Sequence, residues 1–267
     1  MGVVRTTIGE VNFSDNGKGK AVVFLHGYLE SIEIWSDFVE TFYKKFRVVL
    51  VDLPGHGKST VNNDSVSMDE MANAVNEVLN HLGISKVVLV GHSMGGYVTL
   101  AFANRFPEKV KGIVLFHSHP NPDPPQKLAS RLSDIEKVSS GFLAKIVEAS
   151  IPNLYANENV KRFEEYVARS KSIALKTSAK GVVAALSGMV NRDDRNDVIE
   201  RISSPVLMIF GRKDNLIPSD VAEKIVQKHP ASRVCWLENS GHMGFIEERN
   251  QATAAIASFL TEAFDND

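Results

Sequence analysis

Short apolar runs and amphipathic stretches alternate along most of the chain. Residues 21–25, 47–51, 86–90, 111–116, 205–210 and 233–237 are runs rich in aliphatic and β-branched side chains. They lack the period-2 alternation of a half-solvated strand, which fits strands buried on both faces of a parallel sheet. Between them, residues 69–82 carry apolar positions at Met71, Ala74, Val75, Val78, Leu79 and Leu82. That spacing lines one face of a helix, and Gly83 supplies its stop. Helices are also expected over residues 97–106, closed by Pro107, over 219–227 with Ser219 as N-cap, and over 251–264. Strands alternating with helices imply right-handed crossovers and an α/β, doubly wound sheet.

The rhythm breaks between Pro120 and Ile202. This stretch opens with proline-rich residues 120–125 and has no strand-like run; residues 159–176 and 179–190 are its clearest helical segments. The expected organisation is a core built from residues 1–119 and 203–267, with residues 120–202 inserted as a helical cap or lid over the sheet edge. No internal repeat or low-complexity segment interrupts this plan.

The strongest local signal is Gly91-His92-Ser93-Met94-Gly95, directly after a strand-like run and before a helix-like one. G-x-S-x-G in that context is a nucleophile elbow. A strand that turns at once into a helix forces its corner residue into a strained backbone, and the glycines remove side chains that would clash. Ser93 is the candidate nucleophile. A serine hydroxyl needs a base to take its proton. Of eight histidines, His81 and His229 lie near helix ends and read as surface residues, His92 belongs to the elbow, and His56 sits in a glycine turn. His117 and His119 follow a strand and are placed to line a pocket. His242 lies in the glycine-flanked loop 239–244, after the last strand, where an imidazole can swing over the sheet edge; it is the candidate base. The orienting acid is assigned to Asp214, which follows the preceding strand, with Asp123 as its rival. The order Ser, Asp, His matches the elbow's usual order. Oxyanion donors are expected from the backbone N–H groups of Met94 and Tyr28.

Composition adds boundaries. The chain has 267 residues, 43% hydrophobic and 23% charged, enough for a sizeable core, and a formal charge of -2. No basic run marks a nucleic-acid partner. The single cysteine, Cys235, cannot form an internal disulfide or a cysteine metal site and reads as a core residue of a strand. No apolar segment resembles a secretion signal or reaches the roughly 18 residues that span a bilayer. A cytoplasmic protein without a membrane partner is therefore expected. Residues 1–6 fit a loose N-acylation pattern and equally a first edge strand.

Together, His26-Gly27, Asp52-x-Pro-Gly-His-Gly-x-Ser59, Gly91-His-Ser-Met-Gly-Gly96, Gly211-x-x-Asp214 and Gly241-His242 resemble the α/β-hydrolase superfamily. More narrowly, they resemble its cap-bearing small esterases, C–C bond hydrolases and cofactor-free haloperoxidases. The resemblance implies an eight-stranded, mostly parallel sheet with an antiparallel second strand, and a structural turn at residues 52–57. It also implies hydrolysis of a small-molecule acyl substrate without metal or cofactor. Serine at the elbow argues against relatives that use an aspartate nucleophile. His92, where C–C hydrolases often carry asparagine, points toward ester cleavage, with thioester, lactone, C–C and perhydrolytic chemistry open and a hydrolase-like ligand receptor as a remote alternative. Leu29, His117, His119, Phe142, Met189 and Met243 are the candidate substrate-lining residues.

Overall fold

The computed structural model describes residues 1–265. Its strands are β1 (Gly2–Thr6), β2 (Gly9–Asn16), β3 (Ala21–Leu25), β4 (Arg47–Val51), β5 (Val87–His92), β6 (Val110–Phe116), β7 (Val206–Gly211) and β8 (Arg233–Leu237). They form one sheet in the order β1-β2-β4-β3-β5-β6-β7-β8. Strand β2 pairs antiparallel with both neighbours, and β3 to β8 are parallel. Each unpatterned apolar run thus became a strand. Those at β3 and β5 are buried throughout. Strand β8 departs from the expectation of burial on both faces. It is the sheet edge, so Val234, Cys235 and Trp236 are only half buried, and the Arg212 guanidinium covers the Trp236 ring at 3.7 Å.

Helices α1 (Ser36–Val39), α2 (Met68–His81) and α3 (Met94–Arg105) lie between strands of the first half. Helix α2 opens with a reciprocal capping box between Ser67 and Glu70. Helix α3 begins immediately after Ser93, three residues earlier than the apolar pattern indicates. Helices α4 (Pro125–Ser139), α5 (Leu143–Ser150), α6 (Glu164–Leu175), α7 (Ala179–Val190) and α8 (Asn196–Arg201) fill the interval between β6 and β7. Helix α6 starts at Glu164 rather than 159, because the Asn159 side chain is held outside the helix by Asn239 and Glu247. The chain closes with α9 (Ser219–Lys228), α10 (Gly244–Glu247) and α11 (Arg249–Asp265). No single helix among the described residues is long and apolar enough to cross a membrane.

Register sets the site. Leu25 pairs with Gly91, His92 with Phe116, and Gly211 with Leu237. Strands β3, β5, β6, β7 and β8 therefore end together, and the loops after them converge on one edge, where parallel α/β sheets bind ligands. The helical insertion reaches this edge at two places. Gly181 meets Gly55 so closely that a Cβ on Gly181 would stand 2.0 Å from the Gly55 carbonyl oxygen. Further along, the His242 N–H donates to the Leu154 carbonyl at 2.7 Å.

Candidate active site

Three non-glycine residues among those described hold a left-handed backbone: Leu29 (φ 61), Ser93 (φ 49) and His117 (φ 47). Each follows a strand at the converging edge. Strain of this kind persists only where its surroundings impose it, and it concentrates at functional sites. At Ser93 the cause is visible. The corner is pinned by Ser93 N–H donating to the Phe116 carbonyl at 3.0 Å and by Ser118 Oγ donating to the Ser93 carbonyl at 2.8 Å. A Cβ at Gly91 would fall 2.3 Å from the Gly95 carbonyl oxygen, and one at Gly95 2.3 Å from that of Leu25. The elbow is closed to any larger residue at those positions. Ser93 itself stays partly exposed.

His242 and Asp214 meet at this edge. His242 Nδ1 donates to Asp214 Oδ2 at 2.7 Å, which leaves Nε2 buried and unpartnered. A buried unpaired ring nitrogen is uncommon and calls for an explanation; here it is the nitrogen a serine base would use. Asp214 Oδ1 accepts the N–H groups of Leu216 and Ile217 at 2.8 and 3.0 Å. Burial works to raise the Asp214 pKa, but His242 and His117 outweigh it and hold the carboxyl well below the usual range. Asp123 is elsewhere. It pairs with Arg131 at 2.5 Å and Arg192 at 2.7 Å, and so does not approach His242 as its acid.

The strand ends also place the oxyanion candidates. Gly27 N–H donates to Glu30 Oε2 at 2.6 Å and is thereby occupied; the expected donor is the next amide in that loop, at Tyr28. Met94 is the first residue of α3, where an amide has no partner within the helix. His26 locks the loop: its Nε2 accepts the Leu53 N–H at 2.9 Å, and its Nδ1 donates to the Gly27 carbonyl at 2.8 Å. Asp52 ties down the neighbouring turn by accepting the N–H groups of Ile32 and Lys58 at 2.8 and 2.9 Å.

Several substrate-lining expectations fall elsewhere. His117 is fully buried; its Nε2 accepts the Gly244 N–H at 3.1 Å, and its Nδ1 lies 3.3 Å from Asp214 Oδ2 in a bent contact. Both nitrogens face protein, so His117 offers none to a substrate. Phe142 is 45% exposed between α4 and α5, beneath the Lys145 ammonium at 4.8 Å. Met189 is buried, with its sulfur accepting from Arg131 Nη1 at 3.0 Å. Met243 is buried and Leu29 nearly so, so they contribute shape rather than surface. Tyr28 and His119 remain partly exposed, with the His119 ring edge-on to Tyr97 at 5.8 Å. His229, expected at the surface, is buried and donates to Asn196 Oδ1 at 2.7 Å.

His117, Asp214 and His242 bring three ligand-type atoms within 4.8 Å of one another. The donor pattern does not suit a cation. Because His117 Nε2 accepts the Gly244 N–H, the His117 proton must reside on Nδ1, and His242 Nδ1 is at hydrogen-bond distance from a carboxylate. The nitrogens that face Asp214 thus carry protons rather than free lone pairs.

Two carboxylates escaped sequence reasoning. Glu247 is buried in α10 and gathers the histidine loop: Oε2 accepts Gly241 N–H at 2.9 Å, Met243 N–H at 3.2 Å and Ser240 Oγ at 3.2 Å. Its Oε1 accepts Ala156 N–H at 2.9 Å and Asn159 Nδ2 at 2.8 Å from the insertion. Glu30 occupies the equivalent place in the Gly27 loop and contacts His92.

This geometry has many relatives. The family model for the alpha/beta hydrolase fold matches residues 20–249. A thermophilic esterase structure from Thermogutta terrifontis superposes with a TM-score of 0.92, at 30% identity over 98% of each chain. A 2-hydroxy-6-oxononadienedioate/2-hydroxy-6-oxononatrienedioate hydrolase of Paraburkholderia phymatum is 28% identical over 94% of this chain and 90% of its own. A putative 2-succinyl-6-hydroxy-2,4-cyclohexadiene-1-carboxylate synthase of Bacillus subtilis is 26% identical over 98% of this chain and 99% of its own. An eight-stranded sheet with a left-handed serine corner and a family match across most of its length make this chain a member of the alpha/beta hydrolase fold family.

Proposed function

We propose that the chain is a serine hydrolase that cleaves a small carboxylic ester through Ser93, His242 and Asp214. The observation that carries this reading is the buried, unpartnered Nε2 of His242 on a ring whose other nitrogen is fixed by Asp214. The base is oriented, its tautomer is set, and the nitrogen left free is the one a serine would meet.

In the reaction, Ser93 Oγ attacks the acyl carbon while His242 Nε2 takes the hydroxyl proton. The carbonyl π electrons move onto oxygen, held by the N–H groups of Tyr28 and Met94. His242 passes the proton to the departing alkoxide, leaving an acyl-serine. Water then attacks that ester, with its proton taken by His242, and the acid leaves as Ser93 regains its hydrogen. Asp214 stabilises the imidazolium without taking its proton. Each oxyanion donor is worth about 2.7–4 kcal/mol in the barrier. The substrate lies between the sheet edge and the helical insertion, which acts as a cap, near Tyr28 and His119.

The same triad would also serve lactones and thioesters, with an alkoxide or thiolate as leaving group, and C–C bond hydrolysis with a carbon leaving group; the relatives named above include a 2-hydroxy-6-oxononadienedioate/2-hydroxy-6-oxononatrienedioate hydrolase. A series of p-nitrophenyl esters from acetate to decanoate, assayed with the wild type and Ser93→Ala, tests the reading. The expected result is turnover that falls by up to about 10⁶-fold in the variant. Absence of turnover on every ester overturns the ester assignment, and undiminished turnover in Ser93→Ala overturns the nucleophile.

A further inference from the structure

Glu30 and His92 take no part in the proton transfers above, yet both are almost completely buried. Glu30 Oε2 accepts the Gly27 N–H at 2.6 Å and stands 3.0 Å from His92 Nδ1. His92 Nε2 lies 2.9 Å from the carbonyl oxygen of His242. One carboxylate and one imidazole thus run from the oxyanion loop, through the residue before the nucleophile, to the backbone of the base.

The chemistry of these contacts favours a charged pair. A carboxylate and a carbonyl are both acceptors. A neutral imidazole has one N–H and would turn a lone pair toward one of them. With Glu30 ionised, only an imidazolium donates to both ends. A buried imidazolium needs a counter-charge, and Glu30 supplies it.

The surroundings agree. His92 is walled by the edges of Trp35, Phe116 and Phe245. The other titratable groups facing it are His242 and His117, with ring centroids at 5.0 and 6.1 Å, and Asp214 and His26, which act on it or on Glu30 through space. Burial opposes charge on both partners. Their mutual attraction prevails, so His92 is raised above the usual imidazole value and Glu30 held below the usual carboxylate value.

We propose that Glu30 and a doubly protonated His92 form a charged brace that positions the two halves of the active site, holding the Gly27–Tyr28 amides and the His242 loop in register across the Ser93 elbow. Both are positioning residues: neither touches the reacting atoms. The brace rests on the serine-hydrolase reading for its effect on rate, but the charge state it requires is independent of turnover.

The test therefore has two readouts. The first is the ¹⁵N imidazole spectrum of the intact wild-type protein at pH 8, with His92 assigned by comparison with His92→Gln or by through-bond correlation. Two protonated ring nitrogens are expected, and loss of one of those protons in Glu30→Gln. A neutral His92 in the wild type overturns the proposal, whatever the activity. The second is the pH dependence of kcat and KM on the best p-nitrophenyl ester. Glu30→Gln is expected to lower kcat about 10- to 100-fold, the scale of a small misplacement of reacting groups, with KM nearly unchanged. Its alkaline limb should move down by about one pH unit or more as His92 loses its counter-charge. Glu30→Asp, which keeps the charge, should recover part of the rate and of the limb. A Glu30→Gln protein with wild-type kcat and pH profile overturns the positioning role. If no ester is turned over, the spectrum still decides the brace.

Discussion

His117 Nδ1 reaches the same oxygen of Asp214 that His242 uses, at 3.3 Å against 2.7 Å. Asp214 is thus shared by two imidazoles of unequal claim. His242 has the short, aligned bond. His117, kept neutral by burial, which pushes its pKa down to about 4, adds a weaker contact and spends its other nitrogen on the Gly244 N–H.

Replacing His117 with phenylalanine therefore removes support rather than chemistry. The Gly244 N–H loses its acceptor, and a buried unsatisfied donor costs about 1–3 kcal/mol. The expected outcome is a loss of stability of that size in urea unfolding. On the best ester, kcat should fall by less than about tenfold, since an oriented base remains, and KM should barely move. A large rise in KM would return His117 to the substrate pocket.

The two candidate acids separate cleanly. Asp214→Asn should cut kcat by about 10⁴-fold, as loss of the orienting carboxylate does in other triads. Asp123→Asn leaves the Arg131 and Arg192 guanidinium groups buried without their counter-charge. It should cost stability by about 3–5 kcal/mol while the folded fraction keeps near-normal turnover. Thermal denaturation alongside active-site titration distinguishes the two effects.

Glu247 predicts a different pairing of symptoms. Its two oxygens accept from Gly241, Met243, Ser240, Ala156 and Asn159. Glu247→Ala strands those buried donors and frees the histidine loop. Stability and kcat should fall together, with stability lower by about 3 kcal/mol or more. Chemical denaturation and ester hydrolysis on the same samples check this; a fall in stability with unchanged kcat would assign Glu247 to the fold alone.

Acid sensitivity follows from two buried histidines, His56 and His117, and the largely buried His119. Burial lowers the pKa of His56 to about 3 and those of His117 and His119 to about 4, from an ordinary 6.5. Between those values and 6.5 the unfolded chain binds protons that the folded chain refuses. Stability therefore rises with pH there, by about 1.4 kcal/mol per pH unit for each histidine. Urea midpoints measured from pH 4.5 to 7 should climb accordingly, and His56→Gln should flatten the slope by one proton's worth. The Glu30–His92 pair acts in the opposite sense at the alkaline end. A raised His92 contributes fully below pH 6.5 and is lost as pH climbs through its folded value.

Much of the plan was legible because it rests on local pattern. The apolar runs match β3 to β8 to within two residues, since strands covered on both faces, as β3 and β5 are, show no polar alternation; the edge strand β8 carries such a run although it is only half buried. The glycines marked the strand-to-helix corner at Ser93, and the places of His242 and Asp214 after successive strands put the two side chains at one edge, where they meet. What stayed hidden depends on side chains brought together from distant segments. Glu30 and His92 are 62 residues apart, and neither sequence context distinguishes a buried carboxylate from a solvated one. The position of His117 after β6 was read correctly, but its direction was not, because strained backbone at φ 47 turns the ring inward. Phe142 failed for a simpler reason: an aromatic residue beside a helix start carries no periodicity to say which side faces out.

The hydrogen bond from His242 N–H to the Leu154 carbonyl has a consequence for traffic through the molecule. Leu154 belongs to the insertion, and the neighbouring Ala156 and Asn159 are anchored by Glu247. On this side the insertion and the His242 loop are one piece of scaffolding, so a shift of the insertion there would carry His242 with it. Under the proposed mechanism, an opening on that rim would displace His242, and turnover there would have to wait until the contact re-formed.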